Sequence, residues 1–268
     1  MRHVMQPRHP QLAELGLFLL VVALPLVFTP FSASPFGDPK LPVLVAGCLC
    51  LVASGLPADR RTAYVGSALV AITVLAATFG VDPLRGLTSQ VNSGGGGLIT
   101  IICIVVVASI GAAMPEELRR RAMRWFVAAG VVVAVVGLAY RLAPGVVEGP
   151  LPRGGLSGST LGNRVFAATL VSAAIGVHLV MRPSAKSAAR WWIALVVMSL
   201  GVASFDQRSS LVLPVIAGLV AVWRLPGSRA RVGRGVVVVA AMLIVWQLVD
   251  PLLPSPGRLD AQLSSLTS

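Results

Sequence analysis

Charge is scarce in this chain. Of 268 residues only 12% are Asp, Glu, Lys or Arg, about half the share of an ordinary soluble domain. Acids are the scarcer sign, ten against 22 Lys and Arg. Histidine occurs three times, tyrosine twice and cysteine three times. Each shortage excludes something. Cys48, Cys50 and Cys103 all fall inside apolar runs, and Cys48-Leu49-Cys50 is too tightly spaced for a zinc knuckle with no second pair to complete it. They read as small packing residues. His3 and His9 lie in the amino-terminal tail, and His178 lies towards the end of an apolar run, where a lone imidazole usually packs or snorkels. The carboxylates Asp38, Asp82, Glu148, Asp206, Asp250 and Asp260 are scattered, so neither a Ser-His-Asp arrangement nor a metal-hydrolysis site is supported. No metal and no cofactor is implied.

What fills the space is hydrocarbon. The chain is 56% hydrophobic with a mean hydropathy of +0.84, spread over its whole length. That pattern predicts an all-α polytopic transmembrane bundle, 1–268 forming one transmembrane domain. Nine apolar runs are long enough or nearly so: 12–29, 41–57, 62–80, 97–114, 124–142, 164–181, 191–205, 209–224 and 235–252. The net charge of +12 could point to nucleic acid, but every basic cluster abuts an apolar run and none is interleaved with aromatics. The basic residues read as topology signals and no nucleic-acid partner is expected. With the amino terminus inside, fifteen Lys and Arg fall on inner segments, among them Arg8, Arg60, Arg61, the Arg119–Arg124 group, Arg190 and Arg234. Seven fall outside: Lys40, Arg85, Arg141, Arg153, Arg164, Arg208 and Arg258. Trp125, Trp191, Trp192 and Trp223 lie at the inner boundaries. The expectation is nine spans with the amino end inside, the carboxy end outside, and 253–268 the start of an external loop. The first apolar run lacks a small-residue cleavage site after it and reads as a retained span.

Three polar stretches interrupt the hydrocarbon. In "SFDQRSSLV", Asp206, Gln207 and Arg208 sit between the seventh and eighth runs. Only 33 positions separate Arg190 from Arg224, whereas two full crossings need about 40, so the tip of this hairpin is expected slightly below the outer surface. There Asp206 and Arg208 either pair to fix a plain turn or offer a guanidinium fork to a phosphate. In "LSGSTLGNRVFAATL", Ser157, Ser159, Thr160 and Asn163 offer caps to the sixth run. Its helix start, with Arg153 and Arg164 beside it, suits either an anion or a snorkelling arginine. In "TFGVDPLRGL", Asp82 and Arg85 bracket an Asp-Pro turn that is ordinary as structure.

Taken in order, these stretches resemble the O-antigen ligase and O-antigen polymerase superfamily of bacterial envelope glycosyltransferases. "PLVFTPFSASPFGDPKLPVL" is similar to that family's first outer loop, and "TFGVDPLRGL" to its Asp-Pro element before the fourth span. "LSGSTLGNRVFAATL" is similar to the Gly-Thr-x-Gly-Asn-x-Asn entry to the sixth span, with Gly162 and Asn163 as the Gly-Asn pair and Val165 in place of the second Asn. "SFDQRSSLV" is similar to the Ser-Arg-Gly/Ser element opening the eighth span, with Gln207 where Ser is usual. The resemblance implies a metal-independent transferase in the bacterial inner membrane. It would move or polymerise glycan from an undecaprenyl-pyrophosphate carrier to a glycan acceptor on the outer face. Arg208 carries over as a pyrophosphate-binding residue, with Arg85, Arg153 and Arg164 in the same electrostatic role and Asp206 in support. In the family a large external loop after the ninth span carries the acceptor-activating base. This chain ends where that loop would begin, so residues 1–268 alone are expected to bind lipid-linked pyrophosphate poorly and not to turn over. A transporter, flippase-like or accessory membrane protein is the alternative, with no internal repeat to favour it.

Overall fold

In the computed structural model the described residues are 7–27, 40–79, 98–143, 164–181, 187–205, 216 and 229–249. Among them the chain is all-helical and contains no strand. The helices are α1 (Pro10–Leu26), α2 (Lys40–Ala53), α3 (Arg60–Thr78), α4 (Leu98–Ala113), α5 (Glu116–Leu142), α6 (Arg164–Val180), α7 (Ala188–Ser204) and α8 (Arg229–Val249). Each overlaps one of the apolar runs; the run at 209–224 lies outside the described residues apart from Ile216. The helices form two compact units, Met1–Phe126 and Val127–Ser268, with the division falling inside α5.

Helix ends follow local chemistry. Pro10 occupies the first turn of α1, where its missing N–H would have had no partner anyway. Asp59 caps α3, accepting from the Thr62 amide at 2.9 Å and the Thr62 hydroxyl at 2.8 Å. Glu116 and Glu117 occupy the first turn of α5 and Arg141 its last, the order the helix dipole favours. Gly55 takes a φ of 70° after α2, a left-handed conformation that other residues resist. Within α1, Leu19–Ala23 is a π-helical turn in which the Leu24 amide donates to the Leu19 carbonyl. In a straight α-helix the ring of Pro25 would collide with the carbonyl of Val21; the wider turn is where that collision is relieved.

In the first unit, α1 crosses α2 at two glycines. A Cβ at Gly16 would lie 2.9 Å from the Gly47 carbonyl oxygen, and one at Gly47 would lie 2.6 Å from Leu20 Cγ. A core of Ala13, Leu17, Leu51, Leu56, Ile110 and Met114 joins α1, α2 and α4 to the start of α5, with Trp125 packed against it. Two backbone bonds tie the helix ends together: His9 N–H to the Ser54 carbonyl at 3.2 Å, and Asp59 N–H to the Ser109 carbonyl at 2.8 Å. An ion pair from Arg121 to Glu14 adds a third tie, with Phe18 and Trp125 edge to face at 6.0 Å beside it. Arg8, Arg60, Arg61 and Arg119–Arg121 therefore gather at one end of this unit, and Lys40 at the start of α2 marks the other.

In the second unit, α5 and α7 run side by side in the same direction. Gly201 meets Ala134, and further along Gly137 meets Phe205. α6 returns antiparallel to α7, its Leu179 meeting the start of α8 at Gly235.

The outward faces are apolar. Val65 and Ile72 along α3 and Phe79 just past its end are 74%, 63% and 85% exposed, and Leu248 of α8 is 70% exposed. Monomers in water rarely leave large contiguous patches of this kind uncovered. Glu116–Leu142 and Val232–Val249 are long and apolar enough to cross a membrane, yet only 33% and 28% of their apolar windows are buried. A soluble core helix of that hydropathy would be mostly buried. Small residues at the helix crossings are the packing that bilayers favour, because lipid supplies no hydrophobic drive to bring helices together.

Candidate functional site

Of the residues singled out by sequence, Arg85, Arg153, Gly162, Asn163, Asp206 and Arg208 lie outside the described residues, and Arg164 is the first residue of α6. The flanking helices define where the chain approaches them. α5 and α7 are parallel and α6 is antiparallel to both, so the end of α5, the start of α6 and the end of α7 lie at one end of the second unit. Arg141 is in the last turn of α5. Phe205 closes α7 immediately before Asp206. Its ring is 1% exposed and rests on the bare backbone of Gly137, where a Cβ would come within 2.4 Å of Phe205 Cε1. The position from which the Asp206-Gln207-Arg208 stretch departs is thus fixed by packing. Arg141 was counted from sequence only as an outer charge. Its proximity to this end depends on the parallel course of α5 and α7, which no local pattern reveals.

The opposite end of the unit is pinned by His178 and Trp191. The indole N–H of Trp191 donates to the His178 carbonyl at 3.1 Å, and His178 Nε2 lies 2.9 Å from the Trp191 carbonyl. A carbonyl only accepts, so Nε2 carries the hydrogen. The rings stack at 4.7 Å with 18° between their planes. The His178 carbonyl is one of the last four of α6, which have no partner within the helix, and the indole supplies one. This histidine is a packed clasp, the structural role its isolation in the sequence predicts.

In the first unit the feature sequence reasoning passed over is Lys40. Its residue is only 8% exposed, and burial pushes its amine down from 10.5 to about 8. A Pro-Lys step directly ahead of an apolar run was the available signal. Cys48 and Cys103 are buried free thiols, with Cys48 Sγ 3.7 Å from the Cys103 carbonyl oxygen, packing α2 on α4. Among the described residues no group of three His, Cys, Asp or Glu side chains could hold a metal.

Comparison with family models, curated proteins and solved structures gives no match for this chain.

Proposed function

We propose that this chain is a multi-span protein of the bacterial inner membrane, nine spans with its amino end inside, and a glycosyltransferase of the O-antigen ligase and polymerase type. On this reading an undecaprenyl-pyrophosphate donor docks at the outer end of the second unit. Arg208 grips the pyrophosphate with its bidentate fork, and Arg164 and Arg153 add positive potential. The observation that carries the proposal is the meeting of three helix ends, those bearing Arg141, Arg164 and Phe205. It supports the reading because two of the four family-like stretches, with 33 residues between them in sequence, depart from that one end. The outer location follows from charge. Arg190 and Arg234 mark the other end of this unit, the basic one that the positive-inside rule assigns to the cytoplasm.

The test is to change codon 208 in the native gene to Lys and to Gln, and to follow surface polysaccharide and lipid-linked glycan. A pyrophosphate fork predicts loss of polysaccharide and accumulation of lipid-linked glycan in both variants, because lysine cannot bind bidentately. Unchanged polysaccharide with Arg208→Lys would reduce the tip to a simple ion pair. Lipid-linked glycan trapped on the cytoplasmic face would favour the flippase reading instead.

A further inference from the structure

Between the starts of α7 and α8 an open groove of ≈ 450 Å³ is lined by Trp192, Arg234, Val237 and Val238, its wall almost wholly apolar, with Arg234 contributing mainly its aliphatic stem. Three properties of its wall matter. First, Arg234, Val237 and Val238 are spaced i, i+3, i+4, so they share one face of α8, with the cation nearer the helix end and the aliphatic pair one turn further into the apolar segment. Second, Arg234 is exposed and forms no ion pair among the described residues. Among the described residues the charge around it is of one sign: Arg190 is exposed at the start of α7, and neither helix has an acidic residue in its first turn. Third, Trp192 closes the side, and Gly235 lets α8 lie against Leu179, where a Cβ would sit 2.4 Å from Cδ2.

We infer that this groove holds an anionic phospholipid, its phosphate on Arg234 and its upper acyl chain along Val237 and Val238 beside the Trp192 indole. The order from cation to hydrocarbon matches the order from headgroup to chain, and the arginines, unpaired among the described residues, supply the charge complement. A soluble anion would use the arginine and leave the apolar wall wet. A zwitterionic lipid would fill the wall without satisfying the local excess of positive charge. The inference rests on the proposal that α7 and α8 cross a membrane, and it concerns the end of the unit opposite the pyrophosphate site.

The experiment uses Trp192 as its own probe. The full chain is reconstituted in phosphatidylcholine vesicles containing either phosphatidylglycerol or phosphatidylcholine brominated on the acyl chains. Trp192 emission is taken as the difference between the chain and its Trp192→Phe variant. The expected result is preferential quenching by the brominated phosphatidylglycerol, an enrichment of about fivefold, the scale one arginine contributes near an anionic surface. Arg234→Gln should abolish the preference and Arg234→Lys should keep much of it, which separates charge from misfolding. Val237→Phe, filling the wall with Arg234 intact, should lower quenching by both lipids. Equal quenching by the two lipids would overturn the anionic site while leaving the membrane reading intact. Loss of the preference on adding inorganic phosphate would overturn it in favour of a soluble anion. No quenching by either lipid would overturn the site together with the placement of α7 and α8 in a bilayer.

Discussion

Phe205 sits on α5 at Gly137 with its ring where a side chain would otherwise be, since a Cβ there would approach Cε1 to 2.4 Å. The contact decides how closely α7 can end beside α5, and so where the Asp206–Arg208 stretch begins. Gly137→Leu should destabilise the chain by about 1–3 kcal/mol through overpacking, and Phe205→Ala by about 3–5 kcal/mol through the cavity it leaves. Unfolding in mixed micelles reads both. A neutral Gly137→Leu would mean that the two helices do not meet this closely.

Glu14 and Arg121 clasp α1 to α5 across 107 positions of sequence. Both side chains are nearly half exposed, 45% and 43%, so water and salt screen the pair and its coupling should be only about 0.2–1 kcal/mol. A double-mutant cycle with Glu14→Gln and Arg121→Gln measures it. The exchange Glu14→Arg with Arg121→Glu should recover more stability than either single change retains. Coupling that survives high salt unchanged would contradict an exposed pair.

Removing the indole donor at position 191 leaves a helix-end carbonyl without its partner. Trp191→Phe keeps a stacking ring over His178 but loses the 3.1 Å bond. The expected cost is about 1–3 kcal/mol, the penalty for an unsatisfied buried acceptor. His178→Phe removes the return bond from the other side. If either single change is as costly as the two together, the bonds act as a unit; simple additivity would mean independent contacts.

The amine of Lys40 gives stability a slope with pH on the alkaline side. Its native pKa is lowered to about 8 from 10.5, so between those values the unfolded chain holds a proton that the folded chain has released. Stability must therefore rise from pH 8 to 10.5 and be flat with respect to this group below 8, where both states are protonated and the cost of burying the charge is fully present. Lys40→Met should remove the rise. A stability profile equally steep in the variant would assign the slope to another group.

The positions of the helices were legible because hydropathy reads hydrocarbon contact directly: α4 spans Leu98–Ala113 against an apolar run of 97–114. Their full lengths were not. α5 starts at Glu116, eight residues before its apolar run, and α8 at Arg229, six before. The first turn of α5 carries Glu116 and Glu117, which the helix dipole favours there, and an apolar window is blind to such charged turns. Helix contacts were hidden for a different reason. The pairing of Gly137 with Phe205, or of Glu14 with Arg121, depends on how distant helices lie side by side, and hydrophobic periodicity carries little of that information when both faces of a helix are apolar. Lys40 shows the limit most clearly. Sequence gives its charge and its place ahead of an apolar run, while its burial comes from the fold around it.

The π turn at Leu19–Ala23 takes up one surplus residue in α1. Both sides of it pack on α2: Gly16 before the turn meets Gly47, and Leu24–Leu26 after it also touches Lys40–Ala53. Because the wider turn absorbs the extra residue locally, deleting Val21 or Val22 should close it to an ordinary α turn with both halves still facing α2. The collision of the Pro25 ring with the preceding turn would then return, at about 3 kcal/mol. A helix that looks continuous by hydropathy thus carries one residue more than a straight α-helical path needs, placed just ahead of the proline that requires it.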